Sequence, residues 1–289
     1  MTDGFVAIDK PAGWTSHDVV ARCRKIFGQR RVGHAGTLDP DATGVLLVGV
    51  GRATRLLKFV GDLDKAYVGD VVLGSTTSTL DASGEVTGTF DMDGVTIDDI
   101  RVVATKFVGD IEQIPPMVSA VHVGGQRLHA LARKGIEVER QPRPVTIHSI
   151  EVVGSPRIGV FSVEVVCSTG TYIRTLADDL GRALGGGAHL GMLRRFRVGS
   201  FAAPGDAVPL DALTPDAVRP MADLIVHLPT ITVDDEGLDA VTHGRALFDD
   251  TFLGLVAEYV GVLDAKANLV AVYRPVDERL VADVVLLGS

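Results

Sequence analysis

The chain is poor in several features that would each point to a class of function. It has two cysteines, Cys23 and Cys167, which match no metal-ligand spacing and are too few for a disulfide framework. Both read as core thiols of a reducing compartment, and the cytoplasm is the expected location. No apolar run reaches the ~20 residues of a membrane span, and the start Met-Thr-Asp-Gly lacks the charged and apolar regions of a signal peptide. A chain without membrane attachment is expected. There is no internal repeat and no low-complexity tract. Nor is there a positive excess, since 28 basic residues stand against 37 acidic ones, a net charge of −9. Taken whole, that balance opposes binding to a polyanion, because neutralising phosphates requires positive charge.

The charge is uneven, however. Residues 231–289 carry 11 acidic and 4 basic side chains, a balance of −7, which leaves −2 for residues 1–230. Within that body Arg22, Arg24, Lys25, Arg30 and Arg31 form a run with no acid between them. Arg127, Arg133, Lys134, Arg140 and Arg143 form a second, and Arg194, Arg195 and Arg197 a third. Local potential follows such patches rather than the total. Arginine outnumbers lysine 21 to 7, which suits bidentate phosphate contacts. With 289 residues, 46% of them hydrophobic and 22% charged, the chain is long enough for one large domain or two unequal ones with a sizeable core.

One stretch organises the rest. Residues 33–44, Gly-His-Ala-Gly-Thr-Leu-Asp-Pro-Asp-Ala-Thr-Gly, precede the apolar run Val45-Leu46-Leu47-Val48. Three glycines, a proline and two aspartates make a poor helix and a poor strand, so the segment reads as a shaped loop. Pro40 drives Asp39 toward an extended backbone and stiffens the peptide that carries its carboxylate. A carboxylate on a stiff loop backed by a strand is a means of presenting an acid to a substrate. Asp39 and Asp41 also raise the possibility of a glycosidase pair, since in an extended segment they would lie about 7 Å apart on one face.

The remaining elements follow from periodicity and punctuation. Residues 5–8 read as a strand, and Thr15 or Ser16 caps a helix whose Val19, Val20, Cys23, Ile26 and Phe27 share a face until Gly28 stops it. Strands are expected over 45–50, 65–73, 119–123, 145–153, 160–167 and 192–201. Helices are expected over 53–60, from Thr96 to Gly109 behind a capping box with Asp99, over 128–134 and over 172–184. Residues 75–84, dense in Thr, Ser, Asp and Gly, read as a loop, and one or two short helices fall within 211–228. The acidic end holds strands over 255–263, 269–274 and 280–287. The composition shift puts a boundary near Leu228-Pro229, giving a body of 1–229 and a small β-rich module of 230–289.

Six stretches in order resemble one family, the tRNA pseudouridine-55 synthases (TruB family). They are Gly4-Phe5-Val6-Ala7-Ile8-Asp9-Lys10-Pro11 with Gly13, Thr15 and Ser16; the loop 33–44; Lys65-Ala66-Tyr67; Gln113-Ile114-Pro115-Pro116 with Ser119-Ala120 and Gly125; Cys167 to Arg174 with Asp178-Asp179-Leu180-Gly181; and Gly187-Ala188-His189 with Leu193-Arg194-Arg195. The resemblance implies an α+β pseudouridine-synthase fold, with a mixed, mostly antiparallel sheet and flanking helices, followed by a PUA-like module. It implies an isomerase that cleaves the N1 glycosidic bond of a uridine at position 55, in the T-arm of tRNA, and rejoins the base at C5.

That reaction requires a carboxylate, a base moved out of the stack and exclusion of water; no metal or cofactor is expected. The resemblance makes Asp39 the catalytic carboxylate and Arg174 its partner, whose permanent charge favours the ionised acid. Asp39 would attack the sugar or the base, or help remove a ribose proton. Tyr67 matches the aromatic that stacks on the flipped uracil, Tyr172 and Leu193 line its pocket, His34 helps hold flipped-out nucleotides, and Lys10 supports the site through phosphate or backbone contacts. Without the family, Arg174 reads as a surface helix arginine and Tyr67 as core. The segment 113–143 is expected to grip RNA, with backbone contacts from Arg127, Arg133, Lys134, Arg143 and, further on, Arg194. Val118, His122 and His129 depart there from the family's commoner aromatic, lysine and tyrosine. The partner expected is tRNA, with no obligate protein partner and a monomeric chain. The alternative is a tRNA-binding protein that remodels RNA without chemistry.

Overall fold

The computed structural model describes residues 2–119, 122–123, 126–128, 135–136, 138–248 and 257–287. The expected basic helix, with Arg133 and Lys134, and the side chain of Arg127 lie outside the described residues.

The body is α+β around a ten-stranded mixed sheet. Its strands are β1 (Gly4–Lys10), β2 (Val32–Ala35), β3 (Thr43–Val50) and β4 (Lys65–Leu73), with a small hairpin of β5 (Ser75–Thr77) and β6 (Val86–Thr89) set apart from it. Then come β7 (Gly109–Gln113), a separate pair β8 (His122–Val123) and β9 (Gln126–Arg127), β10 (Arg143–Arg157) and β11 (Val160–Cys167). β12 (Ala188–Val198), β13 (Phe201–Ala202) and β14 (Val208–Pro209) complete it. The order is β14-β1-β3-β12-β4-β11-β10-β7, with β13 on β12 and β2 on β3. Pairing is antiparallel except between β1 and β14 and between β3 and β12.

β1 and β3 are apolar almost throughout because both their faces are covered. Phe5, Ala7, Val45 and Leu47 face one apolar cluster, and Val6, Ile8, Leu46 and Val48 the other. The helix Ser16–Phe27 covers the second through Val19, Val20 and Cys23. Thr15 is its N-cap, in a reciprocal capping box with Asp18, and Gly28 ends it at φ 61°. The helix Ile97–Ala104 starts from the expected box of Thr96 and Asp99.

Several expectations change. The segment 33–44 is not all loop, since Val32–Ala35 pairs with Val50–Leu47. β12 reaches only the first residues of β3, so the rest of that edge needs another partner for its backbone groups. The helix expected over 53–60 is a 3₁₀ turn, Gly51–Arg55, and one α-turn, Lys58–Gly61. The strand expected from 192 begins at Ala188 and ends at Val198, where a turn returns the chain as β13.

Toward the C-terminus, β15 (Thr230–Thr232), β16 (Val260–Leu263), β17 (Leu269–Val276) and β18 (Arg279–Val285) form a second sheet in that order. The helix Asp235–Thr242 packs beside it and was not foreseen. Leu269, Val272, Val284 and Leu286 join the cluster that holds Phe5, Val45, Leu47 and Leu56, so the two sheets share a core. At the edge of this contact Arg52 donates to the Leu286 carbonyl at 2.5 Å, and Lys58 pairs with Asp283. Among the described residues, no helix is long and apolar enough to cross a membrane.

Candidate active site

Asp39 lies between two anchored neighbours. Leu38, on its N-terminal side, donates its amide to Ser16 Oγ at 3.0 Å, and the same hydroxyl donates to the Leu38 carbonyl at 3.2 Å. Ser16 is therefore the loop's clamp rather than the helix cap. On the other side the Pro40 carbonyl accepts from the Gly13 amide at 3.0 Å and from Lys10 Nζ at 2.9 Å. Lys10 also donates to the Pro11 and Trp14 carbonyls, at 2.9 and 2.6 Å, so all three of its N–H donors end on backbone. It is fully buried. Of the phosphate or backbone contacts expected of it, these are the backbone kind, and they tie the 11–14 turn to the Asp39 loop. Burial lowers its pKa to about 8, against a smaller upward pull from Asp41 and Asp39.

The loop enters β3 at Gly44, where β3 and β12 run side by side with Gly44 opposite Arg195. A Cβ at Gly44 would lie 2.1 Å from the Arg195 carbonyl oxygen, and φ is +106°, so only glycine fits. The Arg195 side chain is 1% exposed. It donates to the Val45 carbonyl at 2.8 Å and to the Gly36 carbonyl at 2.9 Å, holding the loop from below.

The Asp39 carboxylate is half exposed and bonded to Arg174 Nη2. Arg174 stands in the first turn of the helix Ile173–Ala183, with its side chain 7% exposed. Its Nη1 lies 3.3 Å from Asp81 Oδ2. The other oxygen of Asp81 accepts from Thr79 Oγ1, the Ser83 amide and Ser83 Oγ at 2.6, 3.0 and 2.5 Å. Arg174 thus sits between two carboxylates, one fixed by its own loop and one left open to the cavity. The start of its helix is held by Gln113, whose side chain accepts from the Tyr172 amide at 2.8 Å and donates to the Tyr172 carbonyl at 3.3 Å.

These groups surround a cavity of about 290 Å³ lined by Asp39, Lys65, Tyr67, Tyr172, Arg174, Leu193 and Arg195 among others. Tyr67 is the third residue of β4, and burial raises the pKa of its phenol. A register shift in β12 between Leu190 and Leu193 lets both of those residues face the site. A second cavity, about 490 Å³, continues past Asp39 and is lined by Asp41, Asp81, Ser83 and Gly191.

Not every expected residue converges here. His34 lies on β2, away from the cavity lining, with its ring edge-on to His17 at 5.5 Å. Burial lowers its pKa to about 4, and Nδ1 is buried with no hydrogen-bond partner among the described residues. Arg194 points to the opposite face of β12 from Arg195 and is paired with Asp9 at 2.9 and 2.7 Å, so its charge is already answered within the fold. Arg143 is exposed at the start of β10. Asp41 is exposed and forms no ion pair among the described residues, whereas Asp81 shares Arg174 with Asp39. From the sequence, Asp81, Arg195 and Gln113 had no assigned role at the site, and Ser16 had only that of a candidate helix cap. Nothing in one sequence separates Asp81 from Asp91 or Asp93, which lie in similar polar stretches. Among the described residues no cluster of His, Cys, Asp or Glu has the geometry to hold a metal ion.

The profile described as TruB family pseudouridylate synthase, N-terminal domain, matches residues 24–173. The chain belongs to the TruB family. It is a pseudouridine synthase by that membership. The adjoining profile, tRNA pseudouridylate synthase B C-terminal domain, matches residues 174–222. Among the curated relatives, a tRNA pseudouridine synthase B from Mycobacterium sp. (strain KMS) is 49% identical over 251 residues, 84% of either chain. That of Cutibacterium acnes is 42% identical over 285 residues, 96% of this chain and 95% of the other. Among solved structures, a chain of a Cbf5-Nop10-Gar1 complex is 30% identical with a TM-score of 0.74, over 97% of this chain and 83% of that one. A chain of an H/ACA RNP bound to a substrate RNA containing 2′-deoxyuridine gives 27% identity and a TM-score of 0.73, over 99% and 85%.

Proposed function

We propose that this TruB-family enzyme converts the uridine at position 55, in the T-arm of tRNA, to pseudouridine, with Asp39 as its catalytic carboxylate. The substrate follows the relatives named tRNA pseudouridine synthase B, which resemble this chain over most of their length. The observation that carries the mechanism is the half-exposed Asp39 carboxylate, set by buried Arg174 on the wall of a cavity lined by Tyr67, Tyr172 and Leu193. Its loop neighbours are anchored by Ser16 and Lys10, so the acid is positioned before substrate arrives.

In this reading the target base leaves the RNA stack and enters the cavity, where Tyr67 and Leu193 hold it from either side. The RNA closes over Asp39 and excludes water from the broken bond. Asp39 acts on the ribose, by attack at C1′ or by taking a ribose proton, while Arg174 fixes the direction of its oxygens. Residues 1–229 form the catalytic body and 230–289 the appended module, and the chain works on tRNA without an obligate protein partner. Arg143 and the basic segment around it meet the RNA backbone.

The test is tRNA tritiated at uridine C5, since joining C5 to C1′ releases that tritium to water. Wild type is expected to release it stoichiometrically. Asp39→Asn is expected to lower the rate by about 10⁴-fold or more while binding tRNA within about twofold. Remodelling without tritium release would favour the RNA-binding alternative, and free uracil would indicate a glycosidase.

A further inference from the structure

The cavity contains a charged group that the pairing of Asp39 with Arg174 leaves unexplained. Lys65, the first residue of β4, lines it and is 5% exposed. Its Nζ donates to the Gly61 carbonyl at 2.6 Å, its sole hydrogen bond among the described residues. An ammonium has three donors, so two are left over. Among the described residues no carboxylate forms an ion pair with it. Its acidic neighbours Asp62 and Asp64 are exposed, and Asp64 lies 3.1 Å from His148 Nε2. The other groups around it are Arg195 on β12 and Cys167, its register partner on β11, whose thiol burial raises to about 11 and so keeps neutral.

This contrasts with Arg174, whose one positive charge faces the two carboxylates of Asp39 and Asp81. It also contrasts with Lys10, whose donors are all satisfied. A buried cation without a counter-ion is costly in a resting protein. Burial and Arg195 accordingly lower the Lys65 pKa to about 8. In a reaction cavity, such a group is a preorganised partner for negative charge that exists only during the reaction.

We infer that Lys65 is the counter-charge for the uracil anion formed when the glycosidic bond breaks, an inference that rests on reading this cavity as the uridine site. The C1′–N1 bond breaks with its electron pair remaining on N1, so the detached base carries one negative charge shared with O2 and O4. The sugar's electron deficiency is met by Asp39. The base turns, C5 uses an electron pair to bond C1′, and the link to Asp39 is released. The C5 proton leaves to solvent and N1 regains one. Lys65 keeps its proton throughout and donates hydrogen bonds to an oxygen of the anion. Arg195, which donates to the Val45 and Gly36 carbonyls, adds charge at a distance and positions the loop.

The experiment compares full-length wild type, Lys65→Met and Lys65→Arg in single turnover on two substrates. One is the C5-tritiated tRNA; the other carries 5-fluorouridine at the target, read as loss of the 5-fluorouridine nucleoside after digestion. Fluorine stabilises the uracil anion, so its departure depends less on an external charge. Lys65→Met is expected to slow tritium release about 10²-fold, with tRNA affinity within about twofold of wild type. Its ratio of 5-fluorouridine to uridine rates is expected to rise by about tenfold, because the better leaving group is slowed less. Lys65→Arg keeps the charge and should keep a ratio near that of wild type, which also serves if the Met variant does not fold. Equal slowing of both substrates in Lys65→Met, or a raised ratio in Lys65→Arg, overturns the role of Lys65 alone. No tritium release by wild type would overturn the uridine reading and this inference with it.

Discussion

The loop that carries Asp39 and the C-terminal sheet both adjoin strands β1 and β3, yet they are held by different means. Around Asp39 the holding contacts are directional and point at backbone: Ser16 to Leu38, Lys10 to Pro40, Arg195 to Gly36. Under the C-terminal sheet they are apolar, with Leu269, Val272, Val284 and Leu286 merging into the cluster of Phe5 and Leu47 and a few polar contacts at the rim. Apolar burial is strong but non-directional. It attaches a module without specifying its position to a fraction of an ångström. Hydrogen bonds to fixed carbonyls are weaker in sum but set distance and angle. The carboxylate needs the second kind of contact, and the module only the first.

The comparison breaks most severely at Gly44. Gly44→Ala would force a side chain against the Arg195 carbonyl and into a positive φ, with an expected loss of roughly 4 kcal/mol or failure to fold, read by denaturant unfolding. A loss below about 1 kcal/mol would mean that β3 and β12 part easily there.

Lys10→Met comes next, with a loss of about 2 kcal/mol as three carbonyls lose their donor. Tritium release should fall well below wild type while tRNA affinity and its salt dependence stay unchanged. A shallower salt slope would return Lys10 to the phosphate-binding role.

The third effect is one of pH. Lys65 titrates at about 8 in the fold against 10.5 ordinarily. As pH rises through the folded value the chain loses the charge that the further inference requires, so the single-turnover rate falls several-fold above pH 8. Stability moves the other way. From about pH 8 to 10.5 the unfolded chain binds a proton at Lys65 that the folded chain does not, and this group's contribution to stability rises. Lys10 shares the window, so Lys65→Arg, which removes only the Lys65 share of both slopes, separates them.

The smallest change is at the rim. Lys58→Ala breaks an exposed ion pair with Asp283 and should cost less than about 1 kcal/mol by thermal unfolding.

Much of this could be read in advance because it is local. The capping boxes of Thr15 with Asp18 and Thr96 with Asp99 are matters of three-residue spacing, and both are present. Strands β4, β10 and β11 follow alternation or β-branched content, and the cavity-lining Tyr67, Tyr172, Arg174 and Leu193 were marked by the family's motifs. The errors lie where a distant partner decides. β2 is a strand although Gly33 and Gly36 disfavour one, because the open edge of β3 requires backbone partners. Lys10 was expected to meet phosphate or backbone, and which of the two follows only from the Pro40 and Trp14 carbonyls that the fold brings to it. Arg194 and Arg195 are adjacent and chemically alike, yet the pleat of β12 sends one to Asp9 and the other under the Asp39 loop.

By itself the sequence determined the family, the reaction class and the identity of the presented acid, because these depend on residue types at short spacings. It also determined which strands are buried on both faces, through unbroken apolar runs. The tertiary structure alone decided which charge answers which. Asp81 comes to Arg174 across 93 residues, and Lys10 meets Pro40 across 30. Lys65 forms no ion pair among the described residues. Electrostatic partnership depends on distance and burial, and neither exists until the strands have paired.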